Sequence, residues 1–179
     1  RQDKEMEHKQ LLTVFNSLPV GIGFFTADGT LVRCNESFCR IFGADSQTLL
    51  GNKLNINENS VVPDVVKEAV RRCVPVQMSF LYDFDKQRTD KRFFSTRTRT
   101  CYLKCNGNPL YDNDGKFVNY IFIFEDITET VKSEEVLRQS RRKTELAMKA
   151  ANIMFWEFDA VAKLFYSDNE PLNGYDQSK

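Results

Sequence analysis

Histidine is nearly absent from this chain: His8 is the single copy in 179 residues. That excludes a histidine-based proton shuttle in the core and any multi-histidine metal centre. Surplus charge is absent too, because 25 Lys and Arg balance 25 Asp and Glu. The bulk attraction by which basic domains find nucleic acid or anionic lipid is therefore missing. No stretch is apolar for the roughly 20 residues that a membrane-spanning helix needs. There is no CxxC pair, no glycine-rich phosphate loop, no metal-ligand cluster and no nucleophile-base signature. An enzyme active site in this segment is not expected. The charged start, residues 1–10, is no secretory signal peptide and reads as the cut end of a longer chain.

The cysteines are few and unpaired by spacing: Cys34, Cys39, Cys73, Cys101 and Cys105. An odd number at irregular intervals points to reduced thiols and a cytoplasmic setting. Cys101 and Cys105 fall on one face of an expected strand. At about 3.3 Å per residue they stand ~13 Å apart, too far for a disulfide or a shared metal. All five read as small hydrophobic side chains.

What is present is a core: 41% of residues are hydrophobic and Phe alone occurs 15 times. Residues 1–18 show helical spacing, with Leu11, Val14, Phe15 and Leu18 on one face and Pro19 as the stop. Residues 20–26 and 31–34 read as strands around a tight turn, in which Gly29 takes positive φ. Asn35 then caps a helix closed by Gly43, and Asp45 caps another closed by Gly51. Residues 61–73 form a helix whose broad apolar face is Val62, Val65, Val66, Ala69, Val70 and Cys73. Residues 74–84 are strand, 85–92 a polar connection, and 93–108 a long strand region broken near 97–100. Asp112-Asn113-Asp114-Gly115 makes a hairpin turn into the last strand, residues 117–125.

That last strand is apolar on both sides: Tyr120, Phe122 and Phe124 on one, Ile121 and Ile123 on the other. Such a strand is central in its sheet, and its second face calls for cover by the N-terminal helix or a partner subunit. From residue 127 to about 152 the chain has neither Gly nor Pro and reads as one long helix. Strands in runs, with helices clustered between them, indicate an α+β fold with an antiparallel sheet.

Three stretches in order resemble the PAS family. The first, residues 23–43, carries Asp28-Gly29, Asn35, Phe38 and Gly43 like that family's first hairpin and helix. The second ends Asn108-Pro109-Leu110-Tyr111-Asp112-Asn113-Asp114-Gly115, similar to the family's "P-L-x-D-x-x-G" turn. The third is Asp126-Ile127-Thr128-Glu129, which resembles the "DIT" junction where a PAS domain hands its state to the next module. The resemblance implies a five-stranded antiparallel sheet with helices on one face, followed by a long linker helix. It divides the chain into an N-terminal linker helix (1–18), a PAS domain (19–126), a signalling helix (127–152) and the truncated start of a second PAS domain (153–179). The second domain is marked by Met154-Phe155-Trp156-Glu157-Phe158-Asp159 and Leu164-Phe165-Tyr166-Ser167.

PAS domains share a pocket between the inner sheet face and the helices. Here Ile22, Phe24, Val66, Val70, Met78, Phe80, Phe122 and Phe124 are its candidate walls; such bulky residues either leave room for a small ligand or fill the space themselves. Haem is disfavoured because His8 precedes the core. Flavin is disfavoured because Phe38-Cys39-Arg40-Ile41-Phe42 lies on too early a helix for the family's reactive-cysteine motif. Arg88, Lys91, Arg92, Arg97 and Arg99, with Phe93 and Phe94, form a basic-aromatic stretch, but Asp83, Asp85 and Asp90 dilute it, so it reads as a solvated edge and not a nucleic-acid surface.

Asp126 is expected to cap the long helix, with Glu129 completing a capping box. Glu134–Arg138 and Glu145–Lys149 are expected to support it as i,i+4 pairs. Its seam, Ile127, Leu137, Met148 and Ala151, is interrupted by Glu134 and Arg141. It reads either as a weak coiled coil with two registers or as a plain connector. By resemblance, the chain is a cytoplasmic, homodimeric sensory module that neighbours PAS and kinase domains in a two-component sensor histidine kinase. The competing readings are a ligand-free scaffold and an input to a cyclic-dinucleotide enzyme or transcription regulator.

Overall fold

The computed structural model describes residues 2–88 and 95–151, together with 156–159, 161, 164–167, 170 and 171. The chain forms two compact units, residues 1–131 and 132–179.

In the first unit the elements run α1 (Gln2–Ser17), β1 (Gly21–Phe25), β2 (Leu31–Cys34), α2 (Glu36–Phe42), α3 (Ser46–Gly51), α4 (Asp64–Arg72), β3 (Val76–Asp83), α5 (Phe84–Arg88), β4 (Thr100–Tyr111) and β5 (Phe117–Asp126). The sheet order is β2-β1-β5-β4-β3, and every neighbouring pair is antiparallel. β5 is thus the central strand, as its two apolar faces require. Its inner residues Tyr120, Phe122 and Phe124 are buried, while Ile123 on the outer face is 37% exposed.

Local chemistry accounts for most boundaries. The β1–β2 turn closes through the Gly29 N–H to the Thr26 carbonyl, with Gly29 at φ 87°. The Asn35 side chain accepts the Phe38 N–H to start α2, and Gly43 ends it in the left-handed region. Asp45 accepts the Thr48 N–H to start α3. That helix includes Gly51, is capped by Asn52, and the left-handed residue falls at Lys53. α4 begins only at Asp64, because Pro63 supplies the extended entry and no donor. Its buried stripe is Val66, Ala69 and Val70; Val65 points to solvent at 63% exposure, which narrows the expected face.

Two expectations change between β3 and β4. The segment after Asp83 is the short helix α5, which buries Phe84 and Gln87, not a plain connection. Its start is held by Asp83, whose carboxylate accepts the N–H groups of Asp85 and Lys86. β4 starts at Thr100, so residues 95–99 lie outside the sheet.

The inner sheet face and α2–α4 enclose an aromatic core. Phe38 of α2 lies 4.5 Å from Phe42, 5.8 Å from Phe124 and 6.3 Å from Phe25, centroid to centroid. α2 approaches β1 closely because the inward positions of β1 are glycines. A methyl on Gly21 would meet Ile41 Cδ1 at 2.9 Å, and one on Gly23 would meet Phe38 Cε2 at 2.8 Å. Cys101, Leu103 and Cys105 fill the inner face of β4, and burial raises both thiols to about 11. On the outer face, Phe15 of α1 packs on Phe24 at 6.0 Å and lies beneath the Arg33 guanidinium. Met6, Leu11 and Val14 of the same helix remain exposed.

The second unit continues α6 (Thr128–Ala150), whose first four residues belong to the first unit. It also holds a three-stranded sheet of β6 (Trp156–Asp159), β7 (Leu164–Ser167) and β8 (Glu170–Pro171). β6 and β7 pair antiparallel with Trp156 opposite Ser167. Met154, Phe155, Asp168, Asn169 and residues 172–179 lie outside the described residues. α6 buries none of its residues, and Arg138 pairs with Glu135, three residues back, where the expected partner was Glu134.

Candidate functional site

The eight candidate wall residues separate into three groups. Val66, Phe80 and Phe124 line a small cavity under α2 and α4, together with Phe25, Phe38 and Phe42. Val70 and Phe122 are fully buried in the core beside it, and Met78 packs against that core half-buried. Ile22 and Phe24 lie on the opposite face of the sheet. Their partners across the β1–β5 ladder are Ile123 and Ile121, whereas Gly23 faces Phe122 and Gly21 faces Phe124. The expected inward positions of Ile22 and Phe24 are therefore corrected by one residue: α2 is seated too close to β1 for a side chain at the inward positions 21 and 23, and Phe25 at the strand's end supplies the ring instead.

The cavity measures about 20 Å³, room for a water molecule and little more. Its polar lining is partly engaged with itself, since Asn59 Nδ2 donates to the Tyr82 hydroxyl at 3.0 Å. A drug-sized or cofactor-sized guest needs several hundred cubic ångströms. Aromatic rings fill the volume that such a guest would take.

The more elaborate arrangement is at the end of β5. Antiparallel pairing brings Leu103 opposite Asp126, and the preceding residue of β4, Tyr102, brackets the exit of the chain. Its carbonyl accepts the Ile127 N–H at 2.9 Å, and its N–H donates to Thr128 Oγ1 at 2.9 Å. Asp126 Oδ1 accepts both the Thr128 N–H at 3.1 Å and the Thr128 hydroxyl at 2.5 Å. This is an Asx turn, closed one residue earlier than the expected capping box, and α6 begins at Thr128. The turn satisfies the helix's first free donor and leaves Oδ2 for another partner.

That partner is Arg97. Its Nη2 donates to Asp126 Oδ2 at 2.9 Å, while its Nη1 donates to the Ile41 carbonyl at 2.9 Å. The guanidinium also stacks over Phe84, 5.1 Å from the ring centre. One planar fork thus joins the end of α2, α5 and the start of α6. The neighbours of Arg97 tighten the same seam. Ser95 Oγ donates to the Phe42 carbonyl at 2.7 Å, and the Thr96 N–H donates to the Gly43 carbonyl at 2.7 Å. Residues 95–97 are a strap across the C-terminus of α2, whose Phe38 and Phe42 form the cavity wall.

Partial burial raises the Asp126 carboxyl, but the Thr128 hydroxyl and N–H and the Arg97 guanidinium outweigh it and hold the group below its ordinary 3.8. In this pair the Asp126 carboxylate stays ionised at neutral pH. The pair is about one-third exposed on the Arg97 side and one-quarter on the Asp126 side. Arg97 gave no sign of this role in the sequence, where it sits in a run of basic residues. Of that run, Lys91, Arg92, Phe93 and Phe94 lie outside the described residues, as does the side chain of Arg88. Among the described residues no three His, Cys, Asp or Glu side chains gather to hold a metal ion, and no helix is long and apolar enough to cross a membrane.

Comparison with known proteins gives the same architecture. The chain is 20% identical over 157 residues to a probable diguanylate cyclase, DgcE, of Escherichia coli K12; the match takes in 88% of this chain and 14% of that protein. Among solved structures, an RNA-binding light-oxygen-voltage receptor superposes with a TM-score of 0.58 at 16% identity, over 80% of this chain and 39% of that one. A PAS domain from a two-component sensor histidine kinase superposes with a TM-score of 0.50 at 15% identity, over 69% of this chain and 98% of that one. The sequence pattern of the PAS fold family matches residues 15–132, from the end of α1 through the whole sheet to the first turn of α6. The chain belongs to the PAS fold family.

Proposed function

We propose that this chain is a sensory module of a cytoplasmic signalling protein, and that residues 126–129 relay a conformational signal into α6. The observation that carries this reading is the Arg97 fork, which ties the α2 end of the core to the first turn of the outgoing helix. A cue that displaces α2 moves the Ile41 carbonyl, and with it the partner of Asp126. The start of α6 then shifts between two arrangements that differ by a small free energy. The seam of α6 is polar enough for two registers, since Glu134 and Arg141 interrupt it on either side of Leu137. With a cavity of about 20 Å³, the cue acts as a very small molecule, or at the interface with a partner subunit, and not as haem or flavin. His8 is exposed on α1, outside the core, and offers no axial ligand there.

The output we assign is a two-component histidine kinase located downstream, with this module as its homodimeric input. The apolar residues Met6, Leu11 and Val14 of α1 and Leu81, Tyr102 and Ile123 of the outer sheet face are the surface such a dimer would cover. The likeness to a probable diguanylate cyclase favours a second output, a cyclic-dinucleotide enzyme. The relay is the same in both. In the full-length protein, Asp126→Ala is expected to leave the domain folded while the output no longer follows the cue. A normal response would remove the relay. Sedimentation of residues 1–179 and 19–179 tests the dimer: monomers of both at high concentration would overturn it. Stoichiometric flavin or Soret absorbance in the purified protein would overturn the assignment of the cue.

A further inference from the structure

Two thiols meet where β2 passes into α2. Cys34 is the last residue of β2, Cys39 lies one turn into α2, and their sulfurs are 3.8 Å apart. Both are part-exposed, whereas Cys101 and Cys105 are sealed under the helices. The relay described above uses neither of them.

Two of the four residues between these thiols, Asn35 and Ser37, hold the end of α1. Asn35 Nδ2 donates to the carbonyls of Phe15 and Val20, each at 3.0 Å. Asn35 Oδ1 accepts the N–H groups of Ile22 at 2.8 Å and Phe38 at 2.9 Å. Ser37 Oγ donates to the Leu18 carbonyl. A buried amide with all four bonds made is costly to displace, because each lost partner leaves a desolvated group. The dithiol therefore brackets a clasp that joins α1, β1 and α2.

We propose that Cys34 and Cys39 are a reversible dithiol–disulfide site, oxidised by low-molecular-weight disulfides, and that closing it loosens the Asn35 clasp on α1. A covalent bond requires the sulfurs to approach by about 1.8 Å. Cys34 and Cys39 stand on opposite flanks of Asn35, so that approach strains the segment between them. Cys39 is the first attacker. Burial raises it, with Asp45 and Glu36 adding to this, but the contact with the Cys34 sulfur offsets part of the rise. Cys34 is pushed up to about 12. The Cys39 sulfur, as thiolate, attacks one sulfur of the small disulfide and expels a thiolate. The Cys34 sulfur then gives up its proton, attacks the Cys39 sulfur of the mixed disulfide and expels the second thiolate. Two electrons pass from the protein to the reagent, and the two protons lost by the cysteines end on the two small thiols released.

The test uses the chain as it stands, equilibrated with glutathione and glutathione disulfide at graded ratios, quenched in acid, then denatured, alkylated and mapped by mass spectrometry. The expected result is an internal Cys34–Cys39 crosslink, with Cys73, Cys101 and Cys105 alkylated. Cys39→Ser is expected to lose the crosslink while Cys34 remains alkylated or carries a single glutathione. Hydrogen exchange at residues 15–22 should rise at least about threefold on oxidation of the native chain and stay constant in Cys34→Ser under the same treatment. Five alkylated cysteines at the most oxidising ratio would overturn the site, as would a crosslink that recruits Cys73, Cys101 or Cys105. A Cys34–Cys39 crosslink with unchanged exchange at 15–22 would overturn its action on α1.

Discussion

Asp112 and Asp126 stand at the two ends of the hairpin arm that contains β5, and both accept N–H groups just ahead of them in sequence. Asp112 Oδ1 accepts from Asp114 at 3.0 Å and Lys116 at 2.9 Å, and its backbone closes the same turn. Every one of these bonds lies within five residues. Asp126 makes a comparable local turn with Thr128, but its second oxygen reaches Arg97, 29 residues back, and through it α2. The first aspartate only reverses the chain. The second ties the start of the outgoing helix to the core through Arg97.

The largest difference is expected between the glycine beneath the Arg97 strap and the glycine of the Asp112 turn. Gly43 and Gly115 both have positive φ, 65° and 77°. A Cβ on Gly43 would stand 2.7 Å from Ser95 Oγ and 2.9 Å from the Arg97 nitrogen, whereas one on Gly115 meets nothing within 4 Å. Gly115→Ala should therefore lose only the backbone cost, about 1 kcal/mol, and Gly43→Ala about 3 kcal/mol because the strap must also move. Urea unfolding measures both. Equal losses would mean that the strap yields freely.

Next in size is Arg97→Ala, which removes a part-buried ion pair and leaves the Ile41 carbonyl unmet. The expected loss is about 2 kcal/mol. Arg97→Lys should recover less than half of it, because an ammonium cannot serve the Ile41 carbonyl and Asp126 in one plane. Full recovery would show that charge alone matters at this site.

Much of this arrangement was legible in the sequence, and what was not has a common cause. Asn35, Gly43, Asp45 and the Asp112–Gly115 turn act on neighbours within a few residues, so their identity announces their role. The central place of β5 follows from two apolar faces. Arg97 is different: its partners are 56 residues before it and 29 after it, and nothing local distinguishes it from Arg99. Ile22 and Phe24 were expected inward because large apolar side chains usually are. The inward positions are glycines because a neighbouring helix takes the space, which is a tertiary fact. The same holds for Val65, which continues an apolar stripe on α4 that the core does not reach, and for Cys34 with Cys39, whose five-residue spacing shows no proximity until a strand end and a helix turn face each other.

A smaller effect is expected with acid. Because the Asp126 carboxyl is held below 3.8 in the folded chain, its contribution to stability is fully present above that ordinary value and is lost as pH falls through the lowered one. The carboxyl carbon of Asp126, followed by NMR, should titrate with a midpoint below 3.8. In Arg97→Ala the midpoint should move up, and an unmoved midpoint would mean that Thr128 alone sets it. Smallest of all is Asp112→Ala, expected to cost about 0.5 kcal/mol and to leave α6 untouched. A change at α6 from that substitution would break the contrast between the two ends.

The most direct test is amide hydrogen exchange at residues 128–131 in four proteins: the native chain, Arg97→Ala, Asp126→Ala and the double variant. If the two side chains act as one tie, Arg97→Ala speeds exchange there by about tenfold, and Asp126→Ala by more because it also opens the Asx turn. Adding Arg97→Ala to Asp126→Ala then changes nothing further. Exchange unchanged in Arg97→Ala, or effects that multiply in the double variant, would contradict a coupling of the core to the outgoing helix through Arg97 and Asp126.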